Sequence, residues 1–453
     1  MGIRGLVVLV VWAGCFDPRA PSGAPCGADG SCPAGLVCEL GRCVPPGTGG
    51  DVDASIVDVD APLSDAAPDA APCVASCSGA DLVCGSDSQT CSLGCSETDG
   101  AHCQRIGPSN GLAWTQPSSA MVVLAGPVRI DTMTGEIADL DDGTTIRAPG
   151  TGVIAGISFE AVGGIGVFAM RSLAIEMDAD VRVRGARPFG LLVDGDVTIS
   201  GVLDLSGGCT SGAKWCAGAG GFTGGNDGAE AAGCGKGARG NNTSQSSSHA
   251  GGGGGAGARE SGATGAGGTA GGVACGNAML VPLGGGSGGG RGGGTDGGDG
   301  GGGGGAVQIT AAGSITIAAG GVIDAGGAGG QSDQGNAGGG GGGGAGGSIL
   351  LEAASVSVLG VAAANGGAGG GHTPDAGDGE DATRTTTAAR GPSGSWGGGN
   401  GGTGTIAPTT GRTANDHGGG GGGAAGRIRV LGATRLLSGI VSPAASEGTP
   451  AAM

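Results

Sequence analysis

The chain has 453 residues, including 117 Gly and 20 Pro, and a formal net charge of −18. Uninterrupted glycine runs with few prolines exclude collagen, and such a composition without a strict period is typical of low-complexity sequence. With five Phe, four Trp and no Tyr, any core must use Val, Ile, Leu and Ala. Lysine occurs only at Lys214 and Lys236, and this acidic balance argues against nucleic acid as a partner, because phosphates would be repelled.

Residues 1–14 have the organisation of a signal peptide, with one positive charge, an apolar run and then small residues. Residues 12–15, Trp-Ala-Gly-Cys, resemble a bacterial lipobox, in which the chain is cleaved before the cysteine and that cysteine is lipidated. Trp stands where Leu is usual, so plain secretion and a retained signal are the alternatives. We expect residues 15–25 to form a lipidated N-terminus that attaches the protein to a membrane through Cys15.

The cysteines after Cys15 fall into three even-numbered groups, which is typical of disulfides in an exported protein. Two groups define small knots over 26–43 and 73–107, and the third lies within a glycine-rich region. Zinc is the competing interpretation, but neither knot has the paired CxxC spacing of a zinc ribbon, so no metal site is predicted. The disulfide candidates, whose pairing the sequence leaves open, are Cys26, Cys32, Cys38, Cys43, Cys73, Cys77, Cys84, Cys91, Cys95, Cys103, Cys209, Cys216, Cys234 and Cys275.

Residues 44–72 join the two knots and are rich in Asp, Ala and Pro, without Lys, Arg or Glu. Like charges repel one another, and prolines keep a chain extended. We therefore expect an acidic, solvated linker that holds the rest of the chain away from a membrane surface.

Short runs that alternate apolar with small or polar residues, which is the pattern of β-strands, mark residues 108–207 as the first coils of a β-solenoid. Similar units of three short strands recur at 306–327, 348–368 and 425–445. A unit of this size cannot bury its apolar face alone, whereas stacked copies can pair their backbones and share interior ladders of Val, Ile and Leu. The predicted fold class is therefore all-β, a short parallel β-solenoid (β-helix), with residues 446–453 as a tail.

Glycine-rich segments separate these units at 208–305, 328–347 and 369–424. Each leaves after a third strand and returns before a first strand, so we expect long insertions at one corner of the coils. Two structures stay open for them. The absence of side chains and the high ordering entropy of glycine favour mobile loops. The alternative is a set of extended, left-handed strands that hydrogen-bond side by side, because only glycine permits so close an approach.

The glycine-rich body, from about 160 to 445, resembles the glycine-rich β-solenoid lipoproteins of some bacteria, which are called PE-PGRS-like because of their glycine runs. The N-terminal PE domain of true PE-PGRS proteins is absent from this sequence. Only the glycine-rich character therefore carries over, and the resemblance implies no activity.

Acidic residues are the best catalytic candidates, because carbohydrate-active solenoids place several carboxylates on one outer sheet. Each candidate stands next to Gly or at the end of a strand, where Asp commonly closes a turn. We therefore predict no catalytic residue. The acidic residues considered are Asp178, Asp180, Asp194, Asp196 and Asp204.

These features together predict a non-enzymatic surface lipoprotein with a structural, display or adhesive role. It is expected to be exported to the cell envelope as an outer-membrane lipoprotein that faces the surface, without a cofactor. Its expected partners are the membrane, through the lipid anchor, and polysaccharide or other cell-surface components. The alternative is a carbohydrate-active β-helix enzyme or a carbohydrate-binding protein.

Overall fold

The computed structural model divides the chain into two units, Met1–Pro72 and Cys73–Met453. It describes two short strands of the first unit and residues 74–453 of the second, apart from 92, 99, 115–118, 242–251, 334, 336, 373–376 and 415–416. The expectations that lie outside the described residues concern the signal peptide (1–14), the lipidated segment (15–25) with Cys15, the linker from residue 45 onward, and Cys26, Cys32 and Cys73.

In the first unit, the strands Val37–Glu39 and Arg42–Val44 pair antiparallel and place Cys38 opposite Cys43. This pairing is all that is described of the first predicted knot.

Three large sheets contain most of the strands of the second unit. Sheet 1 consists, in spatial order, of Gly152–Ile154, Ile157–Val162, Ile165–Met170, Phe189–Val193, Ala306–Ala311, Ser348–Glu352, Arg427–Leu431 and Ser446–Gly448. Sheet 2 consists of Met121–Leu124, Ser172–Ile175, Val197–Ile199, Ser314–Ile317, Ser355–Val358 and Thr434–Leu437. Sheet 3 consists of Thr145–Arg147, Ile137–Asp139, Pro127–Asp131, Asp180–Arg184, Val202–Asp204, Val322–Asp324, Val361–Ala363 and Ile440–Ser442.

Shorter elements surround these sheets. Next to the N-terminal end of the unit are the strands Ser76–Ser78, Asp81–Cys84, Asp87–Thr90, Cys95–Ser96, His102–Cys103 and Ile106–Gly107. Later in the chain come the 3-10 helix Ala266–Gly268 and the strands Thr413–Ala414, His417–Gly418 and Ala451–Ala452.

The chain passes through sheets 1, 2 and 3 in turn, with one short strand in each. Strands that occupy the same place in successive triplets pair in parallel, so that Leu191 lies beside Ile309 in sheet 1 and Ile199 beside Ile317 in sheet 2. The predicted all-β class with parallel sheets is confirmed. The triplets begin with the strands Ile165–Met170, Phe189–Val193, Ala306–Ala311, Ser348–Glu352 and Arg427–Leu431.

Side chains from all three sheets belong to one buried apolar cluster. Ile309 of sheet 1, Ile317 of sheet 2 and Ile323 of sheet 3 come from the same triplet and have no exposed surface. The period of two residues along a strand places such side chains on one face. Because burying a side chain of this size stabilises a fold by about 1.5–3 kcal/mol, the ladders of branched residues supply the main cohesion of the sheets.

The N-terminal edges of sheets 1 and 3 differ from the simple coils predicted for 108–207. There the strands pair antiparallel, as in Ile157–Val162 with Ile165–Met170. Arg147 lies fully buried at this end, with its guanidinium 5.5 Å from the centre of the Phe159 ring. The guanidinium donates hydrogen bonds to the backbone carbonyls of Gly135, Ala148, Gly150, Gly152 and Ile157. One buried side chain thus satisfies five backbone carbonyls at this end of the unit.

The C-terminal residues also differ from the predicted tail. Ser446–Gly448 adds a parallel strand to the edge of sheet 1, beside Arg427–Leu431. Ala451–Ala452 pairs antiparallel with Ile106–Gly107. An edge strand carries unpaired backbone groups, and these C-terminal residues satisfy them.

Replacing Ile317 with Ala should lower the free energy of unfolding by about 2–5 kcal/mol, because the side chain is completely buried and leaves a cavity. Leu436→Ala is the matched control, since Leu436 lies on the outer face of the same sheet and is 53% exposed. Its effect should stay within about 0.5 kcal/mol. Urea unfolding followed by circular dichroism measures both changes, and equal losses would contradict a core shared by the three sheets.

Candidate functional site: a hydrogen-bonded glycine array

The glycine-rich residues lie in three connections, 205–305, 325–347 and 364–426. Each connection leaves a strand of sheet 3 and enters a strand of sheet 1. Their described glycine runs are largely buried, and every residue from 338 to 347 is buried. The runs hydrogen-bond to one another. They are therefore extended segments packed side by side, and the expectation of mobile loops is wrong for them. We call this assembly the glycine array.

The run 339–347 shows how the array is built. Its backbone N–H groups donate in rotation to three neighbouring segments, over N···O distances of 2.8–3.1 Å. Donors three residues apart share a segment. Residues 339, 342 and 345 bond Gly293, Gly290 and Ser287; residues 340, 343 and 346 bond Gly418, Gly421 and Ala424; residues 341, 344 and 347 bond Gln331, Ala328 and Ala325.

The carbonyl groups of the same run accept hydrogen bonds from three further segments. Gly301 donates to Gly342, Gly253 to Gly340, and Gly370 to Gly341. Other segments of the chain therefore surround the run on all sides. Its successive N–H and C=O groups are directed at these segments in turn.

A period of three residues is that of the polyproline II helix, which has no internal hydrogen bonds. Successive donors of such a helix point outward a third of a turn apart, which is the pattern of the run 339–347. None of its glycines has a positive φ, in keeping with the left-handed sense of that helix.

Glycine is required because of the distance between neighbouring backbones. A Cβ atom on Gly343 would lie 2.1 Å from the carbonyl oxygen of Gly367, and one on Gly342 would lie 2.0 Å from that of Gly254. Both distances are well inside van der Waals contact, and the opposing atoms belong to backbone that is itself hydrogen-bonded. A side chain at either of these two positions would separate the segments.

Disulfides constrain the first and longest connection. Cys209 is bonded to Cys216, and Cys234 to Cys275. Such bonds stabilise a fold mainly by restricting the unfolded chain. This restriction offsets part of the high entropic cost of ordering glycine.

The region of the second predicted knot is also disulfide-bonded. Cys77 is bonded to Cys95 and Cys91 to Cys103. Cys84 is disulfide-bonded as well. The expectation that the cysteines form disulfides is confirmed for these residues.

Four of the five acidic residues considered from sequence have a described side-chain contact. Asp180 pairs with Arg182 at 2.9 Å, and Asp194 lies 3.6 Å from Arg105. Asp196 accepts hydrogen bonds from the backbone N–H and the hydroxyl of Ser314.

The remaining two candidates differ from each other. Asp204 accepts hydrogen bonds from the backbone N–H and the hydroxyl of Ser206, two residues further on. Asp178 is exposed in the turn between sheets 2 and 3. Asp204 thus makes the turn contact expected of Asp at the end of a strand. The contacts of Asp180, Asp194 and Asp196 are instead with Arg182, Arg105 and Ser314.

A pair of carboxylates on sheet 3 was missed by the sequence analysis. Asp204 and Asp324 are register partners on neighbouring strands. Arg184 lies 3.3 Å from Asp204, and Arg384 lies 2.8 Å from Asp324. Burial raises the pKa of Asp324, while the hydrogen bond and charge of Arg384 act in the opposite direction. The sequence did contain a signal for this pair, because an Asp ends the third strand in each of two successive units.

Comparisons with known protein families, curated proteins and solved structures found no match. Within the described residues, no group of three or more His, Cys, Asp or Glu is placed to hold a metal ion. In that same part of the chain, no helix is long and apolar enough to span a bilayer. The functional argument therefore rests on the array, the sheets and their surfaces.

Gly343→Ala should lower the free energy of unfolding by about 1–3 kcal/mol, because the added methyl group forces two hydrogen-bonded backbones apart. Gly228→Ala is the control, since the nearest atom to its added Cβ would be 3.8 Å away. Thermal unfolding compares the two variants, and hydrogen exchange measures the protection of residues 339–347. Rapid exchange of these amides in the unmodified protein would contradict an ordered array.

Arg384→Met should destabilise the protein more at pH 7 than at about pH 4. A carboxyl group whose pKa is raised by folding contributes its stability below its unfolded pKa and loses it as pH rises through the folded value. Without Arg384, the buried negative charge of Asp324 at neutral pH loses the positive charge that compensates it. At low pH the carboxyl group is protonated and does not need this partner.

Urea midpoints at the two pH values measure this difference. Arg390→Met is the control, because Arg390 is an exposed arginine of the same segment that forms no described ion pair with Asp324. A loss of stability that is independent of pH would show that Arg384 acts through packing alone.

Proposed function

We propose that the protein is a secreted, membrane-anchored surface lipoprotein with a structural, display or adhesive role. The observation that carries this proposal is the glycine array, in which buried backbone is saturated with hydrogen bonds while few side chains point inward. Such an interior leaves little freedom to move and contains only a few buried polar side chains, among them His372 and Asp333, which lie 3.0 Å apart. It suits a rigid body that holds its perimeter in a fixed arrangement.

The perimeter carries hydroxyl groups suited to polar contacts. Thr383, Thr385 and Thr387 lie in one exposed stretch next to Arg384. The hydroxyls of Thr385 and Thr387 are 2.6 Å apart, and the Thr383 hydroxyl donates to the carbonyl of Thr387. Hydroxyl groups held in this way can bind the hydroxyls of polysaccharide or cell-surface components without any side chain entering the array.

We further propose that the three sheets are the faces of a short parallel β-solenoid and that the glycine-rich connections are insertions at one of its corners. The repeated order of sheets 1, 2 and 3, the matching register and the shared apolar cluster support this arrangement. All three connections run from sheet 3 to sheet 1, which supports a common corner. The resemblance to PE-PGRS-like proteins supports the same architecture through composition alone.

Export is part of the proposal. Disulfides persist in oxidising compartments, and those of the described residues are weakly consistent with an extracellular protein. The signal sequence and Cys15 would supply the route and the anchor, and the acidic linker would supply the spacing from the membrane.

The carbohydrate-active alternative is favoured by one observation, the neighbouring carboxyl groups of Asp204 and Asp324. A carboxyl group with a raised pKa beside a second carboxyl group is the combination that glycoside hydrolysis uses. However, Asp324 is 4% exposed and is paired with Arg384, so a substrate would have to displace that arginine to reach it. We therefore favour the display role.

Cys15→Ser should abolish incorporation of labelled palmitate and release the protein from the membrane fraction, because the serine hydroxyl cannot form the thioether. Cys209→Ser is the control, since it removes a cysteine of the array and should leave the label in place. Metabolic labelling followed by protease treatment of intact cells measures attachment and exposure. Persistent labelling of the Cys15 variant, or protection from protease in intact cells, would contradict a surface lipoprotein.

A panel of polysaccharides separates display from catalysis. The expected result is binding without release of reducing ends, and Asp324→Asn should not change that binding. Hydrolysis that is lost in Asp204→Asn or Asp324→Asn would replace the display role with the enzymatic alternative.

A further inference from the structure

Arg427 is a partly buried cation at the border between the glycine array and sheet 1. It is the first residue of the strand Arg427–Leu431, and its register partner is Ser348. Its Nε atom is buried and has no hydrogen-bond partner among the described residues. An unsatisfied buried donor is costly, and the cost is greater for a charged group.

A largely apolar cavity of ≈ 310 Å³ opens on one side of Arg427. Apolar side chains and a disulfide form much of its wall, together with Arg427 itself. A volume of this size is at the lower end of the range for small-molecule sites, which are mostly apolar with a few placed polar groups. The wall includes Phe222, Leu280, Pro282, Leu283 and the Cys234–Cys275 disulfide.

A second cavity, of ≈ 240 Å³, lies against the same arginine and is also lined by Arg259. The backbone N–H of Arg259 donates to the carbonyl of Ala425 at 3.1 Å, two residues before Arg427, which brings both cations to one place. Burial, and then the charge of Arg259, lower the pKa of Arg427. Neither arginine forms an ion pair with a carboxylate of the described part of the chain, although the charge of Arg259 also acts on the adjacent carboxyl group of Glu260.

An oxyanion in these cavities would place a negative charge beside Arg427 and would offset the repulsion between the two like charges. Because Nε has almost no accessible surface, the terminal nitrogens of the guanidinium would make the contact. The planar guanidinium group can donate bidentate hydrogen bonds to two oxygens of a carboxylate or phosphate. The apolar cavity alongside would take an apolar body attached to that head group.

We propose that the chain has a binding site for a small amphipathic oxyanion, with the anionic head held by Arg427 and Arg259 and the apolar body in the larger cavity. The ligand class is a medium-chain carboxylate or alkyl phosphate. This site is independent of the display role, because it depends on neither the lipid anchor nor the hydroxyl-bearing perimeter.

Isothermal titration calorimetry tests the site on the full chain carrying Cys15→Ser, which can be handled without detergent. The probes are octanoate and octyl phosphate, with octanol as the neutral chain and acetate as the head group alone. We expect at least one octyl anion to bind at least about tenfold more tightly than octanol and acetate. The stronger of the two anions identifies the head group. Binding of octanol as tight as that of both anions, or no binding by either anion, would overturn the proposal.

Two variants and a control assign the binding to these residues. Arg427→Met keeps much of the side-chain length and removes the charge, so affinity for the anion should fall at least about tenfold. Ala258→Leu should also weaken octyl anions, because Ala258 lines the larger cavity. Arg429→Met should bind as the unmodified chain does, since Arg429 lies on the same face of the same strand but lines neither cavity.

Circular dichroism establishes that each variant is folded. Unchanged affinity in a folded Arg427→Met protein would overturn the site. If that variant does not fold, the Ala258→Leu variant decides, because an unchanged affinity for octyl anions would place binding outside the cavity.

Discussion

The structure depends on one constraint, which is that buried backbone N–H and C=O groups must be paired. The sheets meet it by lateral pairing of strands, with side chains alternating between two faces. The glycine array meets it with a period of three, in which each run donates to three neighbours in rotation. The run 339–347 continues directly into the strand Ser348–Glu352, so one stretch of chain uses both solutions in succession.

The two parts differ in how they are stabilised. In the sheets, ladders of Ile, Val and Leu remove apolar surface from water, and that burial offsets the entropy of ordering the chain. The array has almost no side chains to bury. Hydrogen bonds contribute only about 0.5–1.5 kcal/mol each, and glycine is the most expensive residue to order. The array therefore relies on being held at both ends of each connection by the strands, and on the disulfides of the first connection.

The same arrangement accounts for where functional groups are found. Because many positions in the array admit no Cβ atom, few polar side chains, such as Arg291 and His372, are buried within it, and the groups proposed to act lie at its perimeter or where it meets the sheets. The Thr383–Thr387 hydroxyls occupy the first kind of position. Arg427, Arg259 and the adjoining cavities occupy the second. A rigid interior with interactions confined to its margins is consistent with the proposed display role.

Much of the fold was determined by local sequence. Alternation of apolar and polar residues predicted the strands and their grouping in threes, because the period of side chains along a strand is a property of the local backbone. The sequence also restricted the glycine runs to two structures, since only glycine tolerates close approach of backbones. It could not choose between the two structures, because the backbone neighbours of Gly342 and Gly343 are as far away in the chain as Gly254 and Gly421.

Tertiary structure alone decided the remaining features. The pairing of Asp204 with Asp324 depends on strands separated by more than a hundred residues that align in register. The carbonyls around Arg147 and the cavities beside Arg427 are likewise assembled from distant turns and connections. Periodicity specifies which way a side chain faces, whereas the neighbours it meets depend on how the whole chain packs.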